Sequence, residues 1–325
     1  MSNQTLSILR KSFKKKDKYN IITFDTHERF QTELAKTGHD FYAFRYDNCK
    51  IWNETFSKIP DNYYIMPNNT IPNGIDFDFI LSQSKFGQLQ VAKQIQSVFK
   101  IPIISVEHTV PTKDLNPQQV EMMKSLRGDI NVFITEYARS QWGYDGQIVE
   151  NSIDYETFKP LNLINDQKYI LTVANDFVKR DYCLNYKGWQ RITEGLPVKL
   201  VGDTPGLSKA SESIEDLVKE YNSCAVYLNT STESQLPTVL LEAMACGKPV
   251  VTTATCSIPS FVKHGENGFL SNDESALRKY LELLLENDEL REKMGKKARE
   301  MITQRFSHER FINSWNNVFN KAYGV

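Results

Sequence analysis

ESQLPTVLLEAMACGKPVV, residues 233–251, decides the fold of the second half of the chain. Pro237 suits the first turn of a helix, where its missing N–H costs nothing. The apolar run continues through Ala243, Met244 and Ala245. Gly247 can take the left-handed conformation that ends a helix, and Pro249 prevents continuation. Val250 and Val251 begin a strand. Loop, helix, glycine stop and strand make half of a parallel βα repeat. The start of such a helix offers unpaired N–H groups and partial positive charge at the carboxyl edge of the sheet, a ready seat for a diphosphate. Glu242, just over one turn inside, can accept hydrogen bonds from ribose hydroxyls. Glu233, in the loop before the helix, can reach a sugar. An ordinary surface helix with a glycine cap fits the same residues about equally well.

The rest of the chain reads in the same way. Residues 20–24 (NIITF) form a short apolar strand, 28–36 a helix stopped by Gly38-His39-Asp40, and 41–44 a second strand. Strands at 79–81, 103–106 and 131–134 alternate with helices at 87–99 and 117–126. The first half is therefore an open parallel sheet with helices on both faces. Residues 158–167, with Pro160 among polar residues, read as a linker. A second βα series includes strands at 169–173, 198–201, 225–228 and 250–252 and a helix around 237–246, followed by a helical tail over 274–323. The domains predicted are 1–160, with a basic tail over 1–19, and 161–325, the last helix being able to return to the first domain.

A chain of 325 residues is long for one core and ordinary for two. Hydrophobic residues make up 40% and charged residues 24%, a globular balance. The formal net charge of −1 gives no overall field for nucleic acid or membrane. The five cysteines form no Cys-x-x-Cys pair, which points to a reducing compartment with no zinc site. The opening residues lack the apolar run of a secretory signal. A soluble cytoplasmic protein is expected, in the host cytoplasm if a phage encodes it.

Glu242-Ala243-Met244-Ala245-Cys246-Gly247-Lys248-Pro249-Val250 resembles the signature of the retaining GT-B glycosyltransferases known as group 1. Their pattern is two glutamates separated by seven residues, then Ala-Met-Ala-x-Gly-x-Pro-Val. Here Glu233 and Glu242 are separated by eight, so either the loop bulges and Glu233 keeps its role, or Ser234 takes that place. The resemblance implies two Rossmann-like domains with the donor cleft between them. It places Ser234, Leu236, Pro237, Thr238 and Glu242 on the nucleotide sugar, with the first glutamate reading the sugar. Arg180, and Lys187 in Lys187-Gly188, resemble the pair that clamps the donor diphosphate, although solvated basic loops look the same. Gly202-Asp203-Thr204-Pro205 resembles the turn that lines the nucleotide. Asn151-Ser152-Ile153-Asp154 with Phe158 and Pro160 resembles the hinge motif, and His264–Leu270 a structural turn.

In the first half, Glu107-His108-Thr109 follows a strand. The resemblance gives His108 a place beside the donor sugar, where a plain polar cap is the competing reading. The first βα loop, Asp25-Thr26-His27-Glu28-Arg29, lacks the glycines usual in the family. His27 or Arg29 would then make contacts with side chains, and His27 is a candidate on the acceptor or catalytic side. The alternative is a helix start capped by Thr26, with Arg29 facing solvent. His39 reads as structural. Asp76-Phe77-Asp78 copies a metal-binding text of another fold and reads as a strand entry.

The implied reaction moves a hexose or pentose from a nucleoside diphosphate, UDP by preference, to an acceptor hydroxyl. No carboxylate pair supplies a glycosidase-like nucleophile, so front-side attack with retained configuration is expected, with no metal or other cofactor. The short chain and its Thr-His-Glu-Arg opening look like phage transferases, so hydroxymethylated pyrimidines in phage DNA are a favoured acceptor, touched by the basic stretch 10–18. A cell-surface or lipid-linked glycan is the alternative, as is a non-catalytic protein that binds nucleotide sugars. No Gly-x-Gly-x-x-Gly opens either half, which sets aside a dehydrogenase.

Overall fold

The computed structural model describes residues 16–54, 57–111, 115–163 and 168–324. They fall into two units, Met1–Asn151 with His308–Val325, and Ser152–Ser307.

The first unit runs β1 (Asn20–Thr23), α1 (Glu28–Ala35), β2 (Asp40–Ala43), β3 (Tyr63–Ile65), β4 (Phe79–Ser82), α2 (Gln88–Phe99), β5 (Ile103–Glu107), α3 (Pro117–Ser125), β6 (Ile130–Phe133), α4 (Glu136–Trp142) and β7 (Gln147–Ile148). The strands form one parallel sheet in the order β3-β2-β1-β4-β5-β6-β7. The interior strands β4 and β5 are buried at every position, as strands covered on both faces must be. At the edge, β3 buries only Tyr63.

The second unit runs β8 (Ile170–Val173), α5 (Asp181–Leu184), α6 (Tyr186–Thr193), β9 (Val198–Val201), α7 (Ile214–Ser223), β10 (Val226–Asn229), α8 (Thr238–Ala245), β11 (Val250–Thr252), a short 3₁₀ turn at Ile258–Ser260, β12 (Phe269–Leu270), α9 (Glu274–Glu286) and α10 (Asp288–Arg305). Its parallel sheet is ordered β12-β11-β10-β8-β9. Both sheets are doubly wound α/β, as the alternation in the sequence predicts.

The division falls at Asn151/Ser152 and not beyond Pro160. Residues that follow Asn151 already belong to the second unit. Ile153 N–H donates to the Phe306 carbonyl, Phe158 packs on Tyr221, and the Arg299 guanidinium holds the carbonyls of Tyr155 and Phe158. Residues 164–167 of the expected linker lie outside the described residues. The final helix, α11 (His308–Tyr323), packs in the first unit. Phe319 stacks on Phe79, Tyr19 hydroxyl donates to Asn320 Oδ1, and His39 Nε2 lies 2.9 Å from Asn316 Oδ1. His39 is thus structural. No helix among the described residues is long and apolar enough to cross a membrane.

The end of α8 carries the glycine stop read from the sequence. Gly247 has φ +72, Lys248 N–H donates to Ala243 O and Gly247 N–H to Met244 O, the Schellman pattern. A second glycine meets this turn from outside. A Cβ on Gly295 of α10 would sit 2.0 Å from Gly247 O. Gly295→Ala should therefore cost about 2–3 kcal/mol through overpacking, read as a lowered midpoint in denaturant unfolding. An unchanged midpoint would mean that α10 does not rest on the Gly247 turn.

Candidate active site

In an open parallel sheet the crevice lies where strand order reverses, outside the carboxyl ends of the strands. In the second unit that point lies between β8 and β10, because the chain passes from β8 outward to β9 and returns on the other side to β10. The candidates in this half lie on the segments that leave β8, β9 and β10.

After β9, Gly202 has φ +115, and a Cβ there would meet Ala174 O at 2.2 Å. Only glycine permits this approach. The 202–204 turn is bonded to the segment after β8. Asp203 N–H donates to Asn175 Oδ1 at 2.8 Å, Asp176 N–H to Asp203 O at 2.7 Å, and Thr204 Oγ1 to Ala174 O at 3.1 Å. The Asp203 side chain itself is exposed. Further along, Arg180 precedes α5 and is exposed. Asn185, at φ +57, caps α6 through Gly188 N–H. A Cβ at Gly188 would strike the Asn185 carboxamide at 2.3 Å, which gives the Lys-Gly pair a structural reason. The Lys187 side chain is 75% exposed, and its ammonium leans on Asp181 at 3.7 Å.

The loop after β10 is held on both sides. Thr232 N–H donates to Cys183 O at 2.8 Å and Thr230 Oγ1 to Leu184 O. On the other side, Thr253 and Thr255 hydroxyls donate to Ser231 O, Cys256 Sγ approaches Thr232 O, and Ser257 Oγ donates to Gln235 O. Glu233 and Ser234, both half-buried, lie between the ties at Thr232 and Gln235. Leu236 and Pro237 are buried and Thr238 is exposed. Pro237 is the N-cap of α8, and no side chain caps that helix start. Behind it, Glu242 is 2% exposed, and the Tyr221 hydroxyl donates to its Oε2 at 2.8 Å. Burial, and then the Glu242 charge, push the Tyr221 hydroxyl well above its ordinary value. The sequence carried no signal for Tyr221.

In the first unit the reversal lies between β1 and β4. His27 follows β1 and His108 follows β5. The structure brings the two rings together, edge to face at 4.8 Å, with Phe30 4.9 Å from His108. Gln83, after β4, lies between them in strand order, its Oε1 3.1 Å from His108 Nε2. The Asp25–Arg29 loop is no phosphate cradle. Thr26 and His27 N–H groups both donate to Gln31 Oε1, and the Glu28 carboxylate, paired with Lys50, is buried there. Thr26 does not cap the helix, because its hydroxyl turns back to Phe24 O and His27 holds the N-cap position. Arg29 is exposed. The exit of β5 is anchored by a buried ion pair that sequence reading missed. Lys85 Nζ lies 2.6 Å from Glu107 Oε1, Tyr144 hydroxyl donates to the same oxygen, and Trp142 Nε1 donates to Thr109 O. Asp78 ends its motif by accepting from Asn20 N–H and Lys16, which is a strand-entry role.

Residues 207–301 match the family model described as Glycosyl transferases group 1. An uncharacterized glycosyltransferase of Haemophilus influenzae is 26% identical over 332 residues, 88% of this chain and 92% of that one. Among solved structures, Anabaena Alr3699/HepE in complex with UDP superposes with a TM-score of 0.74 at 14% identity, covering 93% of this chain and 100% of that one. WaaG, a glycosyltransferase involved in lipopolysaccharide biosynthesis, superposes with a TM-score of 0.66 at 13% identity, covering 92% and 99%. The chain is a glycosyltransferase of the GT-B fold. The transferase places its group 1 signature on α8, the Gly247 stop and the entry to β11.

Two outcomes follow for the transferase. Tyr221→Phe removes one donor from a buried carboxylate and should cost about 1.5–3 kcal/mol of stability. Thermal unfolding measures this, and a loss under about 0.5 kcal/mol would deny Glu242 its dependence on Tyr221. The second outcome concerns pH. Burial, with a smaller push from His27, holds His108 down to about 3. Desolvation and then Lys50 lower His27, and desolvation lowers His39. An unfolded imidazole takes up a proton near 6.5 that the fold refuses, so the unfolded state binds more protons and acid favours it. Stability should therefore be full above pH ~6.5 and decline as pH falls toward the folded values. His108→Asn should flatten that decline in melts taken between pH ~7 and ~5. An unaltered slope would show that His108 is not one of the depressed groups.

Proposed function

We propose that this transferase moves a sugar from a nucleoside diphosphate, UDP by preference, to a hydroxyl of a glycan acceptor with the anomeric configuration retained. The observation that carries this reading is the uncapped start of α8 at the β8/β10 reversal, with Glu242 fixed behind it and the exposed cations Arg180 and Lys187 on the adjoining segment. A helix N-terminus and two cations support a departing diphosphate. Gly202, Asp203, Ser234, Leu236, Pro237 and Thr238 line the nucleotide in this reading, Glu242 accepts from ribose, and Glu233 reads the sugar. The UDP in the HepE structure supports the choice of nucleotide.

The chemistry needs no enzyme nucleophile. The acceptor oxygen attacks the anomeric carbon on the face that the diphosphate leaves. The bond from that carbon to the phosphate oxygen breaks, and the phosphate oxygen takes the acceptor's proton. His108 and His27 are the first unit's contribution on the acceptor side, His108 contacting the reacting sugar as a neutral ring. No metal is required. Asp78, the metal-like motif's second carboxylate, is already occupied by Lys16 and Asn20.

Charge selects the acceptor. A cavity of about 800 Å³ at the ends of β2 and β3 is lined by aromatic, aliphatic and amide groups and one carboxylate, among them Tyr46, Asp47, Asn48, Ile51, Ile65 and Asn68. The single cation in its lining, Arg45, is committed to the buried Asp25. Lys50 is bonded to Glu28, Lys16 to Asp78 and Lys18 to Asp40. Such a surface suits a neutral saccharide better than a polyanion, so a glycan is preferred to hydroxymethylated DNA. Residues 10–15 of the basic stretch lie outside the described residues. WaaG's part in lipopolysaccharide biosynthesis is consistent with a glycan acceptor.

The test is a mass-spectrometric screen of nucleotide sugars against glycans and hydroxymethylated DNA. Transfer to a glycan with weak dependence on salt is expected. Transfer to DNA that collapses between about 50 and 200 mM salt would replace the glycan reading, and donor binding without turnover would make the protein a binder. With a donor in hand, Glu233→Gln should lower kcat/KM about a hundredfold and Ser234→Ala less than about threefold, and the reverse order would hand the first signature position to Ser234.

A further inference from the structure

Three glutamines, Gln31, Gln83 and Gln88, gather where β1 and β4 end, and two of them have both ends of the carboxamide engaged. Gln31 Oε1 receives Thr26 and His27 N–H, and its Nε2 donates to Phe24 O and Tyr63 Oη. Gln88 Oε1 receives Gln83 N–H at 3.1 Å, and its Nε2 donates to Thr26 Oγ1 at 2.7 Å. Gln83 differs. It is 5% exposed, its Oε1 lies 3.1 Å from His108 Nε2, and its Nε2 is sealed from solvent with no acceptor among the described residues.

A sealed, unpaired amide nitrogen is a cost to the fold, and a methionine of similar length would fill the same space without it. Gln83 is therefore not explained by its own stabilisation. What it contributes is an oxygen at a ring nitrogen. A carboxamide oxygen can only accept, so the nitrogen facing it must carry the proton. The other ring nitrogen then holds a lone pair and can only accept. The ring's strand exit is held still on both sides, by Lys85 and Tyr144 on the Glu107 carboxylate and by Trp142 on the Thr109 carbonyl. His27 and Phe30 pack edge to face on the ring and limit its rotation.

We infer that Gln83 is the positioning residue of His108, holding the imidazole as the Nε2–H tautomer, in which Nδ1 is the accepting nitrogen. This rests on the transferase reading for the role of His108, while the tautomer itself is a property of the protein alone.

The experiment separates the two. In ¹⁵N-labelled protein, long-range ¹⁵N–¹H spectra report which ring nitrogen of His108 is protonated, with no substrate present. The Nε2–H form is expected in the wild type. Gln83→Met should give a mixture of both forms. On activity, Gln83→Met should lower kcat about tenfold with donor KM within about twofold, and its melting temperature should match or exceed the wild type. A structural role predicts the opposite pattern, a lower melting temperature with kcat unchanged. A wild-type ring protonated on Nδ1, or Gln83→Met with the tautomer and kcat of the wild type, overturns the proposal. A wild type that turns over no donor while showing the Nε2–H form would sink the transferase reading and leave the tautomer assignment standing.

Discussion

A parallel strand that ends inside a protein leaves its last peptide groups without partners, and whatever follows must satisfy them. The two units meet this constraint with different chemistry. The first uses carboxamides, and they consume the N–H groups of Thr26 and His27. The second uses a carboxamide as well, Asn175 on Asp203 N–H, and adds hydroxyls and a thiol that consume carbonyls at Ser231, Thr232 and Gln235. The exit of β1 is thereby depleted of donors. The exit of β10 loses acceptors and keeps an uncapped helix start. In the proposed reaction that uncapped start is the seat of the diphosphate.

Much of this was legible in the residues. Alternating apolar runs placed most of the interior strands within a residue, because burial on both faces leaves a strong signal, as at 79–82 and 103–107. Edge strand β3 was not read, since its two outward tyrosine and isoleucine positions break the pattern. Helices α4 and α7 were missed for another reason. Their starts at Thr135 and Ser213 are marked by single capping hydroxyls, a weaker signal than an apolar run.

At the site, the glycine stop and α8 were clear, because they depend on local backbone chemistry. Their surroundings were not. Tyr221 reaches Glu242 across 21 residues and Gln83 reaches His108 across 25, and nothing near either residue announces the contact. The hinge motif misled in a similar way. Its Pro160 suggested a linker, whereas the residues before it are claimed by Phe306, Tyr221 and Arg299.

The return of α11 has a consequence for the order of assembly. Tyr19, His39 and Phe79 complete their packing only against Asn316, Phe319 and Asn320. During synthesis the sheet of the first unit emerges early, yet its aromatic face stays open until 308–323 have been made. The second unit, continuous from 152 to 307, has all its own contacts by then. The part made first is thus the last to be finished, and for most of translation it carries an uncovered apolar surface, the state in which a nascent chain most needs shielding.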